Sequence, residues 1–395
     1  MQTALVFQIQ PVANRFSPCF PGHSGSNSGM LDLPRNKAFR PIALILAIII
    51  PLIPLRAGPV MNVGPSDMVF QPTDEEGYMQ AWNVNFRGNG MLIYITFVIS
   101  NLGPKSLNNG VSILIVQKGK VRVWTKEYDY QSLEAQKGRF GHKSFMNWLR
   151  YENGKYYIEI DQGDKSTPVI KLALSPYGPG LGLSDGKINV SGGGFIRFDV
   201  PVVSSAATGH MILDDEWIDL KGIAGMEYLN GNKPVHQFAK RFHLIRSYHQ
   251  GNGFFVGGFY GTDDSGHKSL IHAKVMKGGQ LLDHGIVKKI ENLKESQNAF
   301  SGYTIPQKTL YRMNRCSVLE SQNYYSGGYY VLGNISMLLR AVLRVFFAKP
   351  YVLHYNTTVS AWCEKGDATR SLAELEQKKP TAKFPSESTF YLINP

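Results

Sequence analysis

Gly222–Gly261 reads GIAGMEYLNGNKPVHQFAKRFHLIRSYHQGNGFFVGGFYG, and the rest of the chain is interpreted from it. It sets Glu227, Tyr228, Asn230, Asn232, Lys233, His236, Lys240, Arg241 and His243 among glycines and aromatics, the densest run of groups able to bind a ligand or move a proton. Its second half also repeats an earlier pattern. Trp82–Phe97 reads WNVNFRGNGMLIYITF and Phe242–Phe259 reads FHLIRSYHQGNGFFVGGF, each entering and leaving a Gly-Asn-Gly turn. The turn residues Asn89 and Asn252 lie 163 positions apart, roughly one domain length. Two similar halves are expected, with the polar stretch at their junction.

Outward from this stretch the apolar residues recur with period two. Strands are expected over Met91–Ser100, Val111–Gln117, Val121–Tyr128, Tyr156–Asp161, Val169–Ser175, Phe195–Val200 and Trp217–Lys221, then Phe242–Tyr248, Phe254–Gly261, Leu270–Met276, Leu281–Val287, Thr309–Leu319 and Val352–Glu364. Ile170, Leu172 and Leu174 against Lys171 show the alternation. Asn153-Gly154, Asn230-Gly231 and Gly278-Gly279 read as turns between strands, and Asp214-Asp215 as a hairpin turn. An all-β chain of antiparallel sandwiches or barrels follows, with one or two short helices. Ser132–Leu149 is expected as a short helix or a long loop, and Lys365–Pro385 as a polar, loosely ordered tail before a last strand within Ser386–Pro395. Ile335–Phe347, ISMLLRAVLRVFF, places Ser336, Arg340 and Arg344 on one helical stripe. It fits a buried closing element, or a helix lying on a bilayer surface.

The 395 residues suit two domains, here 58–235 and 236–395. Residues 1–29 lack periodicity and read as an extension ahead of a start at Met30. Residues 30–57 have the form of a signal peptide: Arg35, Lys37 and Arg40, the apolar run Pro41–Leu55, then Ala57. A secreted or periplasmic location is expected. The net charge of +12 suits an anionic partner, with a peripheral contact to an anionic membrane the expected form. Nucleic acid is not expected, because the basic residues are scattered and no recognition motif is present.

Cys19, Cys316 and Cys363 do not make a thiolate metal site, and the spacing of His236, His243 and His249 fits no metal site either. No metal or cofactor is expected. Cys316 and Cys363 are read either as a disulfide or as two buried thiols. Gly192-Gly193-Gly194 reads as a loop at a strand end.

Ser204–Tyr260 resembles the double-lipocalin superfamily of fungal survival-factor proteins and carotenoid hydratases of the hydroxyneurosporene synthase type. The resemblance is carried by Ala207-Thr208-Gly209, an acidic turn, Trp217 to Gly222, Lys233-Pro234-x-His236 and Arg241-Phe242. It extends over about 80–290 and is nearest to the survival-factor branch. It implies two lipocalin-like barrels in tandem and a hydrophobic ligand, lipid or isoprenoid. The hydratases carry an Asp-His pair where this chain has Glu227, Tyr228, Leu229 and Asn230, so their chemistry does not transfer. The expected function is an exported binding protein, with Asn230, Asn232, Lys233, Lys240, Arg241, His243 and Tyr248 contacting the ligand. The alternative is a hydratase, isomerase or cyclase in which Glu227, Tyr228 or His236 donates a proton.

Overall fold

A computed structural model describes residues 61–101, 107–182, 187–247, 253–331 and 350–393. The signal peptide reading, the Ile335–Phe347 segment and Tyr248 fall outside them. The described chain is almost entirely antiparallel sheet, in two curled sheets of 14 and 9 strands. They form tandem lipocalin-like barrels, one nearly closed and one a half-barrel.

In the first sheet the spatial order begins Lys120–Tyr128, Asn108–Gln117, Met91–Ser100, Met79–Gly88, Glu216–Gly231, Gly194–Leu213. It continues through Val169–Pro176, Lys155–Ile160 and Asn147–Glu152 to two three-residue strands. The second runs Gln280–Ile286, Ser269–Lys277, Gly253–Gly261, Ala239–Ser247, Ala382–Leu392, Tyr351–Trp362, Ser317–Tyr330, Thr304–Arg312, Lys289–Gln297. Each sheet therefore opens with a four-strand meander whose first strand pairs with a later strand of the same sheet. Met79–Gly88 and Ala239–Ser247 occupy equivalent places, so the two Gly-Asn-Gly runs belong to the same hairpin of the repeat. In the first hairpin Asn89 and Gly90 have φ of 53° and 69°, the left-handed pair that a tight two-residue turn demands.

Alternation sets the interiors. Trp82, Val84 and Phe86 face the first core together with Ile93, Ile95, Phe97, Ile158, Leu172 and Met226. Ile245, Val256, Ala273, Val318 and Val359 build the second. The first sheet curls until its ends meet: Ser144 Oγ donates to Asn109 Oδ1, and Gln162 Nε2 reaches Val111 O at 3.4 Å.

Several expectations need correction. Asn230-Gly231 is not a turn but the end of the strand Glu216–Gly231, paired with Gln80 and Met79. Ser132–Leu149 is neither helix nor plain loop but carries three short strands, Leu133–Ala135, His142–Ser144 and the start of Asn147–Glu152. Thr309–Leu319 is two strands joined at Asn314-Arg315. The region 365–385 is well built: Ser371 caps the helix Leu372–Glu376, and the final strand already begins at Ala382.

Cys316 and Cys363 are disulfide-bonded, closing a sequence separation of 47 residues. The bond ties the start of one strand to the end of its neighbour at a buried corner, where Asp283 Oδ2 also accepts from the Arg315 and Cys316 amides. Cross-linking a loop of this size removes about 2–4 kcal/mol of unfolded-state freedom. The double substitution Cys316→Ala/Cys363→Ala should lower unfolding free energy by that amount in urea titrations. An unshifted midpoint would show that the corner holds without the bond.

Candidate functional site

Strand alternation distributes the polar stretch over several environments. Glu227 and Tyr228 are neighbours in one strand and therefore face opposite ways. Tyr228 turns into the first barrel, where Gln80 Nε2 contacts its hydroxyl at 2.5 Å and burial raises its pKa to about 12. Asn230 is buried on the same strand. Across from Tyr228 lies Asp199, 2% exposed and bonded by Arg197 Nε at 2.5 Å. Burial, opposed by Arg197, raises the pKa of Asp199 to about 6.

Glu227 turns outward into the seam between the two sheets. Arg246 Nε bonds its Oε1 and Arg246 Nη2 its Oε2, while Asn83 and Asn85 donate to the two oxygens at 2.6 and 2.9 Å. Every one of these partners donates, so both Glu227 side-chain oxygens are held by hydrogen bonds from one strand of each sheet. Arg246 Nη1 also donates to Thr389 Oγ1 at 2.9 Å, and His354 Nδ1 lies 3.1 Å from the same hydroxyl. His354 stacks on Tyr94, whose hydroxyl donates to Glu387 at 2.8 Å. Apolar clusters around Phe242 and Leu244 continue this seam.

Asn232 and Lys233 form the link between the sheets. Asn232 Oδ1 accepts from the Phe195 amide at 2.7 Å. The Lys233 stem lies on Gly194, where a Cβ would stand 2.1 Å from Lys233 Cγ and would push that side chain aside. His236 sits half-buried on the short helix Val235–Phe238, its pKa lowered by desolvation.

Lys240, Arg241 and His243 belong to the half-barrel. A groove of about 1250 Å³ opens at its mouth, lined by Lys240, Arg241, Tyr260, Lys288, Lys289, Ile290 and Tyr303 among others. The Arg241 guanidinium lies 4.2 Å from the Tyr260 ring centroid. Tyr260 and Ile290 also pack on the second core, so the groove floor is the roof of the half-barrel interior. Beneath it His243 is fully buried, stacked on Phe390 and 2.6 Å from Ser388 Oγ. Tyr311 hydroxyl stands 3.1 Å from His243 Nδ1 and 3.1 Å from Glu320 Oε2.

The structure thus brings together Lys240, Arg241 and His243 around one half-barrel and places Glu227, Tyr228 and His236 in three different surroundings. Sequence reading passed over Arg246, Asp199, Tyr311, Glu320 and Ser388. Arg246 carried one signal, a charge directly after the apolar pair Leu244-Ile245. The others come from distant strands, and only register brings them together. Among the described residues no group of three or more His, Cys, Asp and Glu is arranged to hold a metal ion.

No family profile and no curated protein matches the sequence. The fold does have solved counterparts. A protein provisionally assigned as AttH from Nitrosomonas europaea superposes with a TM-score of 0.56 at 13% identity, over 87% of this chain and 100% of that one. CghA, solved with Sch210972, matches with a TM-score of 0.54 at 7% identity, over 85% and 98% of the two chains. Kievitone hydratase from Nectria haematococca gives a TM-score of 0.50 at 9% identity, over 84% and 93%. At these identities the likeness is one of fold, the lipocalin-like double barrel.

Proposed function

We propose that the chain is a binding protein for a hydrophobic ligand of lipid or isoprenoid type bearing an anionic group, taken at the mouth of the half-barrel. The observation that carries this reading is the groove itself: Arg241, Lys268 and Lys288 line it beside Tyr260, Ile290 and Tyr303, while Lys240 is paired with Asp263 at 3.1 Å and Lys289 with Glu291 at 3.4 Å. Such a combination attracts a carboxylate or phosphate and shelters the apolar part behind it. Octanoate is a sufficient probe. Arg241→Glu/Lys288→Glu should weaken its binding at least tenfold by calorimetry, since two attractive charges become repulsive. Unchanged affinity would remove the groove from the function.

A hydratase- or isomerase-type activity is the second reading, favoured by Asp199. Its carboxyl titrates near 6 beside the buried Tyr228, a poise suited to an acid that donates at neutral pH. One of the structural counterparts is a hydratase. Within the superfamily the Lys233-Pro234-x-His236 string supports placement nearer the survival-factor branch. Export, and peripheral contact with an anionic membrane, belong to the same proposal; a disulfide that persists in oxidising compartments and the net charge of +12 support them.

A further inference from the structure

A second pocket, sharing no residue with the groove, lies where the outer face of the second sheet meets the first. Its volume is about 180 Å³; Tyr177, Pro179 and Val203 form one wall, Lys274 and Met276 the other. Tyr177 is 42% exposed and marks the open rim, whereas Lys274 is only 7% exposed.

Register fixes what Lys274 faces. Arg246, Phe255, Lys274 and His284 stand opposite one another on four consecutive strands and so form one row on one face. That face is turned to the first sheet, since Phe255 packs on Phe198 with ring centroids 6.1 Å apart. Arg246 meets Glu227 across the seam. Lys274, two strands and about 10 Å further on, meets no acid. Among the described residues it forms no ion pair and no hydrogen bond, and burial alone lowers its pKa. Asp283, beside His284, turns to the opposite face, where its carboxylate accepts from the Arg315 and Cys316 amides. His272 and His284 share the face of Lys274 and supply no negative charge.

An ammonium taken out of water without a counter-ion is strongly disfavoured, so this position favours the neutral amine relative to a surface lysine. A neutral amine is a nucleophile towards carbonyl carbon, and an apolar chamber in front of it selects which carbonyl compounds approach. At roughly 30 Å³ per water volume, the pocket accepts about six non-hydrogen atoms.

We propose that Lys274 is a covalent capture site for small apolar aldehydes, which it holds as an imine. The Nζ lone pair attacks the carbonyl carbon, and the carbonyl oxygen leaves as water with the two amine protons. A C=N bond replaces the C=O bond without change of oxidation level, and hydrolysis returns the aldehyde. Tyr177, Pro179, Val203 and Met276 receive the carbon chain.

The test incubates the full chain at pH 7 with hexanal and cyanoborohydride, which reduces the imine to a stable secondary amine, and locates the hexylated lysines by peptide mass mapping. Lys274 should be modified at least tenfold faster than the exposed Lys118 and Lys379, because each unit by which a lysine pKa falls raises its neutral fraction about tenfold at that pH. The comparison is internal to the wild type and requires no variant to fold. Val203→Trp, which fills the pocket, should bring Lys274 down to the surface rate and leave Lys118 and Lys379 unchanged. A Lys274 that stays unmodified, or reacts no faster than the surface lysines, overturns the proposal. So does undiminished labelling in Val203→Trp. The groove reading stands in either case.

Discussion

Between pH 6 and pH 4 the protein should lose on the order of 3 kcal/mol of stability per pH unit. His142 is buried between Trp82 and Phe97 and His354 against Tyr94, and desolvation lowers the pKa of each to about 3. Arg246 adds to the effect at His354. His272 is lowered by burial to about 4. In the unfolded chain all three return to about 6.5 and take up protons that the folded state refuses. Their stabilising preference is complete above pH 6.5 and is lost progressively as pH falls towards the folded values. Asp199 acts in the opposite direction: its folded pKa of about 6 exceeds the ordinary 3.8, so the folded state holds the extra proton between those values. Three protons taken up on unfolding against one released leave a net of two, at about 1.4 kcal/mol per proton and pH unit. Urea midpoints measured from pH 8 to pH 4 provide the check, and a curve level from 7 to 4.5 would mean that these rings are not buried neutral.

Arg246→Met should cost about 3–5 kcal/mol, the usual penalty for leaving a buried charge without its partner. Glu227 is about 4% exposed and would keep only Asn83 and Asn85 as donors. Adding Glu227→Gln in the same chain should recover most of the loss, because the stranded carboxylate is then gone. The decisive quantity is the interaction term of the double-mutant cycle in urea. A term near zero would mean that the two groups are solvated independently and that the seam is not held by this pair.

The fold was legible because it follows from local rules. Period-two alternation such as Trp82, Val84 and Phe86 reports a two-faced strand, and Asn89-Gly90 reports a tight turn with little dependence on context. The duplicated Gly-Asn-Gly hairpin pointed to two halves, and the sheet orders share its meander. Misreadings occurred where the local signal was weak. Ser132–Leu149 has strands too short to display a period, and the Thr309–Leu319 run hides a turn made without glycine or proline.

The candidate site was legible only in part. Composition marked Gly222–Gly261 as chemically dense, and Lys240, Arg241 and His243 do gather at one half-barrel. Glu227, one residue from Tyr228, instead meets Arg246, and its other donors Asn83 and Asn85 lie 144 and 142 residues away. Sequence alone determined which residues alternate, where the chain reverses and that the chain repeats, since these depend on neighbours a few positions apart. Tertiary structure decided which carboxylate meets which cation and that the two cysteines join. Those outcomes depend on the register between strands far apart in the chain, and a shift of one residue would turn each side chain to the opposite face.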